Sequence, residues 1–178
     1  MLRDDRYSGG MHDILRPLLL AALIMLLTRA VWRDLAARTI SNRLNATVAL
    51  LAPLSWYAAG LPLWPDVALQ IGLAAIVFAV FTAAFALGMM GGGDVKLLTA
   101  LALWRAPLVA GEPMFAPLLS LLVIMALAGG VLTIGMVIRH RRQKAPGQPE
   151  IPYGVAIAIG ALATYGERYL NQFSGLAG

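Results

Sequence analysis

Cysteine is absent from the chain, which excludes disulfides, thiolate-ligated zinc or iron–sulfur centres and thiol nucleophiles. Charge is scarce too: 13% of the 178 residues are charged and 60% are hydrophobic, a balance that a soluble domain of this size does not show. Histidine is limited to His12 and His140, each beside a different apolar segment, so no metal site is expected. No polar domain carries a stripe of lysine and arginine. The basic residues instead punctuate apolar runs, and the pI of about 10.1 points to membrane topology rather than nucleic acid.

Long apolar runs dominate what remains. Crossing a hydrocarbon core of about 30 Å takes roughly 20 apolar residues, with about 17 still sufficient. Six stretches approach that length: Ile14–Trp32, Leu44–Leu61, Val67–Met90, Val95–Ala110, Phe115–Ile138 and Pro152–Leu170. The expected fold is therefore all-α, a polytopic membrane protein of about six transmembrane helices with a glycine-rich break before the fourth. No internal repeat or separate soluble segment is visible, so residues 1–178 read as one membrane-embedded domain. The first run lacks a small-residue cleavage site and is followed by Trp32-Arg33-Asp34, which marks it as a retained helix.

If the connections alternate sides, nine basic residues (Arg29, Arg33, Arg38, Arg43, Lys96, Arg139, Arg141, Arg142 and Lys144) fall on one face and five (Arg3, Arg6, Arg16, Arg105 and Arg168) on the other. The excess makes the first face cytoplasmic and both termini external. Leu61-Pro62-Leu63-Trp64-Pro65-Asp66 has no basic residue and suits an external turn, while Arg139 to Ile151, with Pro146, Gly147 and Pro149, reads as an irregular cytoplasmic connector. On this topology the cytoplasmic carboxylates are Asp34, Asp94 and Glu150.

Two of these sit at span boundaries. Asp34 follows the first span, and Asp94 closes Gly91-Gly92-Gly93-Asp94-Val95-Lys96-Leu97 at the start of the fourth. Three consecutive glycines admit backbone angles closed to other residues and let a second chain approach, so Asp94 is presented at an irregular break at membrane depth. Two carboxylates that share one proton can cleave a peptide bond. One activates water as a base, and its protonated partner polarises the scissile carbonyl. Asp34 and Asp94 are the candidates, with Gly91, Gly93 and Lys96 as supporting residues and no cofactor or metal required. The bland readings are an interfacial ion pair for Asp34, a helix cap for Asp94 and a topology anchor for Lys96. Arg38, Arg43 and the Arg139–Lys144 cluster suit the positive-inside face and anionic lipid. Gly129-Gly130 and Gly160 suit close helix packing.

At three places the chain resembles the type IV prepilin peptidase family of membrane aspartyl proteases. Asp34-Leu35-Ala36-Ala37-Arg38-Thr39-Ile40-Ser41-Asn42-Arg43-Leu44-Asn45 is similar to the family's aspartate followed by basic residues and Ile-Pro-Asn. Gly91-Gly92-Gly93-Asp94-Val95-Lys96-Leu97 matches its Gly-x-Gly-Asp motif, and Ile151-Pro152-Tyr153-Gly154 resembles the opening of its last helix. The resemblance implies a six-helix endopeptidase of the bacterial cytoplasmic membrane. Its catalytic pair, Asp34 and Asp94, would face the cytoplasm and remove basic leaders from pilin-like precursors before their hydrophobic stems. Ser41 stands where the family commonly has proline, a departure expected to loosen the backbone after Asp34. The cysteine-bearing insertion of the long, N-methylating members is missing, so the chain resembles the short members tied to Flp or tight-adherence pili. Neither methyltransferase activity nor S-adenosylmethionine binding is expected. The competing reading is a small transporter or pilus-assembly subunit with structural or ion-relay aspartates. It calls for a carboxylate or similar polar relay deep within several spans, and none is found at such depth. The oligomeric state is not legible.

Overall fold

A computed structural model describes residues 6–104, 112–143 and 151–176. Arg3, Arg105, Lys144, Pro146, Gly147, Pro149 and Glu150, together with the side chains of Arg6 and His12, lie outside the described residues. Among the described residues there are six α-helices and no strand: α1 (Arg6–Ala37), α2 (Asn42–Ala58), α3 (Ala68–Ala86), α4 (Gly92–Ala102), α5 (Ala116–Gln143) and α6 (Tyr153–Leu176). A single turn, Leu63–Val67, leads into α3 with extended backbone at Trp64. Three stretches, Ile14–Ala37, Leu63–Ala86 and Ala116–Gln143, are long and apolar enough to cross a membrane. Their outward faces carry Met25, Ile76, Val80, Leu127, Val131 and Ile134 in the open, far more exposed apolar surface than a soluble monomer shows. The chain is an all-α membrane protein.

Packing follows a simple order. Helix α1 lies against α2 and α6, α5 lies against α6, and α4 sits among α2, α3 and α6. Leu19, Leu23, Leu27 and Ala30 place the buried stripe of α1 at three- and four-residue spacing against this centre. The α5–α6 seam is close because Gly160 has no side chain; a Cβ there would stand 2.7 Å from the Leu121 carbonyl oxygen. Gly129 makes ordinary contact with Ala156, whereas Gly130 faces open space and takes no part in packing.

Helix α4 departs most from the sequence expectation. A fourth span over Val95–Ala110 was expected, but the helix stops at Ala102, after 11 residues or about 16 Å. A helix that ends inside a protein at membrane depth leaves its last carbonyls without partners. Here side chains from three neighbouring helices supply the missing donors. Tyr165 Oη donates to Leu101 O at 2.7 Å, Gln70 Nε2 to Ala102 O at 2.7 Å and Trp104 O at 3.3 Å, and Trp56 Nε1 to Leu103 O at 2.7 Å. Trp104 Nε1 in turn donates to Val48 O on α2 at 2.8 Å.

Other boundaries moved for local reasons. Helix α1 runs past Trp32 through the helix formers Leu35, Ala36 and Ala37, so Asp34 lies in its last turn and not beyond it. It ends at Arg38, whose φ of 51° places it in the left-handed region and whose N–H donates to Asp34 O at 2.9 Å. Helix α5 takes in Arg139–Gln143, which sequence assigned to an irregular connector; cations in a last turn complement the negative end of the helix. Ser41 does not loosen the backbone. Its φ of −70° is the value proline would impose, and its hydroxyl caps α2 by accepting from Leu44 N–H at 3.3 Å.

Candidate active site

Asp34 ends one helix and faces the start of another. It is 5% exposed, and its carboxylate Oδ2 accepts from the Val155 N–H in the first turn of α6 at 3.3 Å. A carboxylate is poorly placed at the negative end of its own helix, and the positive end of α6, whose Val155 N–H it shares with the Pro152 carbonyl, offsets this. The approach depends on Gly154, where a Cβ would stand 2.8 Å from Asp34 Oδ2 and 2.8 Å from Ile40 Cδ1.

Asp94 sits in the first turn of α4 behind a true break. Helix α3 ends at Ala86, Gly88 turns the chain with a φ of +71°, and Gly91 is the residue before the new helix. The Asp94 side chain reaches back to accept the Gly91 N–H at 3.3 Å, one half of a capping exchange, since Gly91 has no side chain to return it. Asp94 is 9% exposed. Burial first and the nearby Asp34 charge second push its carboxyl from 3.8 up to about 6, while the Gly91 N–H pulls the other way.

Ile40, in the turn between α1 and α2, joins the two halves. It touches Gly154 on one side, and on the other a Cβ at Gly93 would stand 3.1 Å from its carbonyl oxygen. The glycines of both motifs thus let the end of α1, the start of α4 and the start of α6 converge on one residue. Asn45 on α2 fastens the glycine segment, its Nδ2 donating to Gly93 O at 3.0 Å. Lys96 donates to Asn42 Oδ1 at 2.9 Å, tying α4 to the beginning of α2. The structure therefore brings together Asp34, Asp94, Gly91, Gly93 and Lys96 around one junction. Arg38 and Arg43 lie exposed beside it, and Arg139, Arg141 and Arg142 lie exposed toward the end of α5. Among the described residues no three His, Asp or Glu side chains form a group able to hold a metal ion.

Sequence reasoning did not single out Ile40, Asn42, Asn45, Gly154 or Val155 individually, although all lie in or beside the segments it quoted. For Asn45 a signal was available. An asparagine inside a predicted span must find a partner, and its partner is the segment that carries Asp94. Gly154 carried no such mark, because nothing in Pro152-Tyr153-Gly154 says what passes above it.

Neither the curated proteins nor the solved structures hold a match to the chain. A family model does match: residues 21–134 fit the type IV leader peptidase family. The matched stretch holds Asp34, the turn at Ile40, Asn45, the glycine break and Asp94. On that match over most of its length, the chain belongs to the type IV leader peptidase family.

Proposed function

We propose that Asp34 and Asp94 are the catalytic pair of an aspartyl endopeptidase that removes the basic leader from pilin-like precursors at the cytoplasmic boundary of the bacterial inner membrane. Its family makes the protein a leader-peptidase-type protease. The observation that carries the aspartyl reading is the junction itself: a buried Asp94, lifted to about 6 in part by the charge of Asp34, facing a carboxylate that another helix terminus stabilises.

The two environments divide the work. Asp34 accepts the Val155 N–H and lies at the positive end of α6, so it is the ionised base that takes a proton from the attacking water. Asp94, more easily kept neutral, donates its proton in a hydrogen bond to the scissile carbonyl oxygen. Water adds to the carbonyl carbon, and the tetrahedral intermediate collapses with breakage of the C–N bond. The proton taken by Asp34 passes to the departing amine. The glycine break gives the substrate an irregular entry where its backbone can leave helical hydrogen bonding. The basic face at Arg38, Arg43 and the end of α5 faces the cytoplasm and anionic lipid in this reading, and residues 1–178 act as one unit.

Co-expression with a pilin-like precursor tests the pair. Wild type is expected to shorten the precursor on a gel, and Asp34→Asn and Asp94→Asn are each expected to reduce cleavage by about a thousandfold or more at equal membrane insertion. Undiminished cleavage by either variant removes that residue from the mechanism.

A further inference from the structure

Gln70 sits on α3 with 4% of its surface exposed, at a depth where bulk water does not reach a polar group. The two ends of its amide are treated differently. Nε2 donates to the Ala102 and Trp104 carbonyls, which only accept, so turning the amide over would set oxygen against oxygen. Oε1 is therefore fixed as an acceptor, and it is buried with no donor among the described residues. A buried acceptor left in this way calls for a partner.

A small cavity lies against the same side chain. It is bounded by Gln70 and Leu73 of α3, Trp104 just past the end of α4, Met114 and Leu118 at the start of α5, and Tyr165 of α6. It leaves about 10 Å³ open to the centre of a water molecule, about the room that one such molecule needs. Leu73, Met114 and Leu118 form the apolar part of the wall. Gln70 and Tyr165 form the polar part, and both already reach the last carbonyls of α4.

We propose that this cavity is a binding site for one ordered water, which donates one proton to Gln70 Oε1 and the other to a carbonyl oxygen at the end of α4. A carbonyl has two lone pairs, so the Ala102 or Trp104 oxygen can accept from water as well as from Gln70. The water joins Gln70, Trp56 and Tyr165 as a fourth member of the group that stops α4 at membrane depth. Size and charge select it over other occupants. A lipid or detergent chain is too large, and a metal cation calls for a fuller shell of oxygens and a compensating carboxylate, whereas no residue lining the cavity is acidic.

A double-mutant cycle in detergent tests the site. Leu118→Phe fills the cavity, and Gln70→Met keeps the length of the side chain while removing the acceptor. A bound water would be expelled by the phenylalanine ring, leaving Oε1 unpaired, so Leu118→Phe is expected to lower the thermal midpoint of wild type by about 4 °C more than it lowers that of the Gln70→Met chain. Overcrowding common to both backgrounds cancels in the cycle. Where Leu118→Phe does not insert, Leu73→Phe fills the cavity from α3 in the same design. An equal drop in both backgrounds, or a gain on filling wild type, means a dry cavity and overturns the proposal. Replacing sodium by choline in the buffer is expected to leave the wild-type midpoint unchanged; a fall on removing sodium overturns water in favour of a cation. A crystal structure that resolves ordered waters is expected to show one within about 3.2 Å of Gln70 Oε1, and empty density there overturns the assignment.

Discussion

Asp94 is held in the fold in a state that costs stability at neutral pH. Its carboxyl titrates near 6 in the folded chain against 3.8 for the ordinary group. Between those values the folded chain keeps a proton that the unfolded chain gives up. Stability on this account is greatest below about pH 4 and declines as pH rises through about 6. Asp94→Asn removes the buried charge while keeping an oxygen for the Gly91 N–H. It is expected to raise the thermal midpoint in detergent at pH 8 by on the order of 5 °C, with the gain vanishing toward pH 4. An equal gain at both pH values would show that the charge is not its source. Gly154 is the second sensitive point. With a Cβ 2.8 Å from Asp34 Oδ2, Gly154→Ala must displace the carboxylate or the start of α6. Misplacement on the ångström scale is expected to lower kcat about a hundredfold, read as precursor cleavage, with α-helical circular dichroism unchanged.

At the scale of elements, α4 is the exceptional helix. Sequence indicated its start, because glycines followed by aspartate mark a break and a first turn. Its end was not legible: Leu101, Ala102, Leu103 and Trp104 continue an apolar run that gives no stop signal. The stop is written elsewhere, in Gln70, Trp56 and Tyr165, three polar-tipped side chains on three other helices whose donors meet the last carbonyls of α4. Gln70→Leu leaves the Ala102 and Trp104 carbonyls without that donor. It is expected to destabilise the protein by about 1–3 kcal/mol, measurable by thermal unfolding in detergent micelles. The ends of the other helices were read with errors of up to eight residues, the largest at the start of α1, Arg6 against an expected Ile14. The error at Arg139–Gln143 arose because a basic cluster outside a span looks like a loop although arginine and glutamine are good helix formers.

The whole molecule is an assembly around that short helix, with α2, α3 and α6 in contact with it and α1 and α5 outside. If the connections alternate sides, nine basic residues fall on the side of Asp34 and Asp94 and five on the other, and this excess predicts a cytoplasmic junction. Gln143→Cys, at the end of α5, is expected to react with a membrane-impermeant maleimide only after cells are opened, whereas Leu63→Cys in the turn before α3 reacts in intact cells. The reverse pattern would invert the topology and separate the junction from a cytoplasmic leader.

Composition and pattern alone determined that this is an all-α membrane protein, and the Gly91–Lys96 and Asp34–Asn45 motifs were enough to point to a peptidase family. Both are local properties: hydrophobic length is read along the chain, and glycines beside an aspartate are contiguous. Only the tertiary structure decided that Asp94, 60 positions from Asp34, lies near enough to feel its charge, that α6 supplies the N–H opposite Asp34, and that α4 ends halfway. Those outcomes depend on helix termini from distant parts of the chain satisfying one another. Because a buried N–H or carbonyl can be paired by any donor or acceptor that packing brings near, the partner is chosen by packing and leaves no mark in the local sequence.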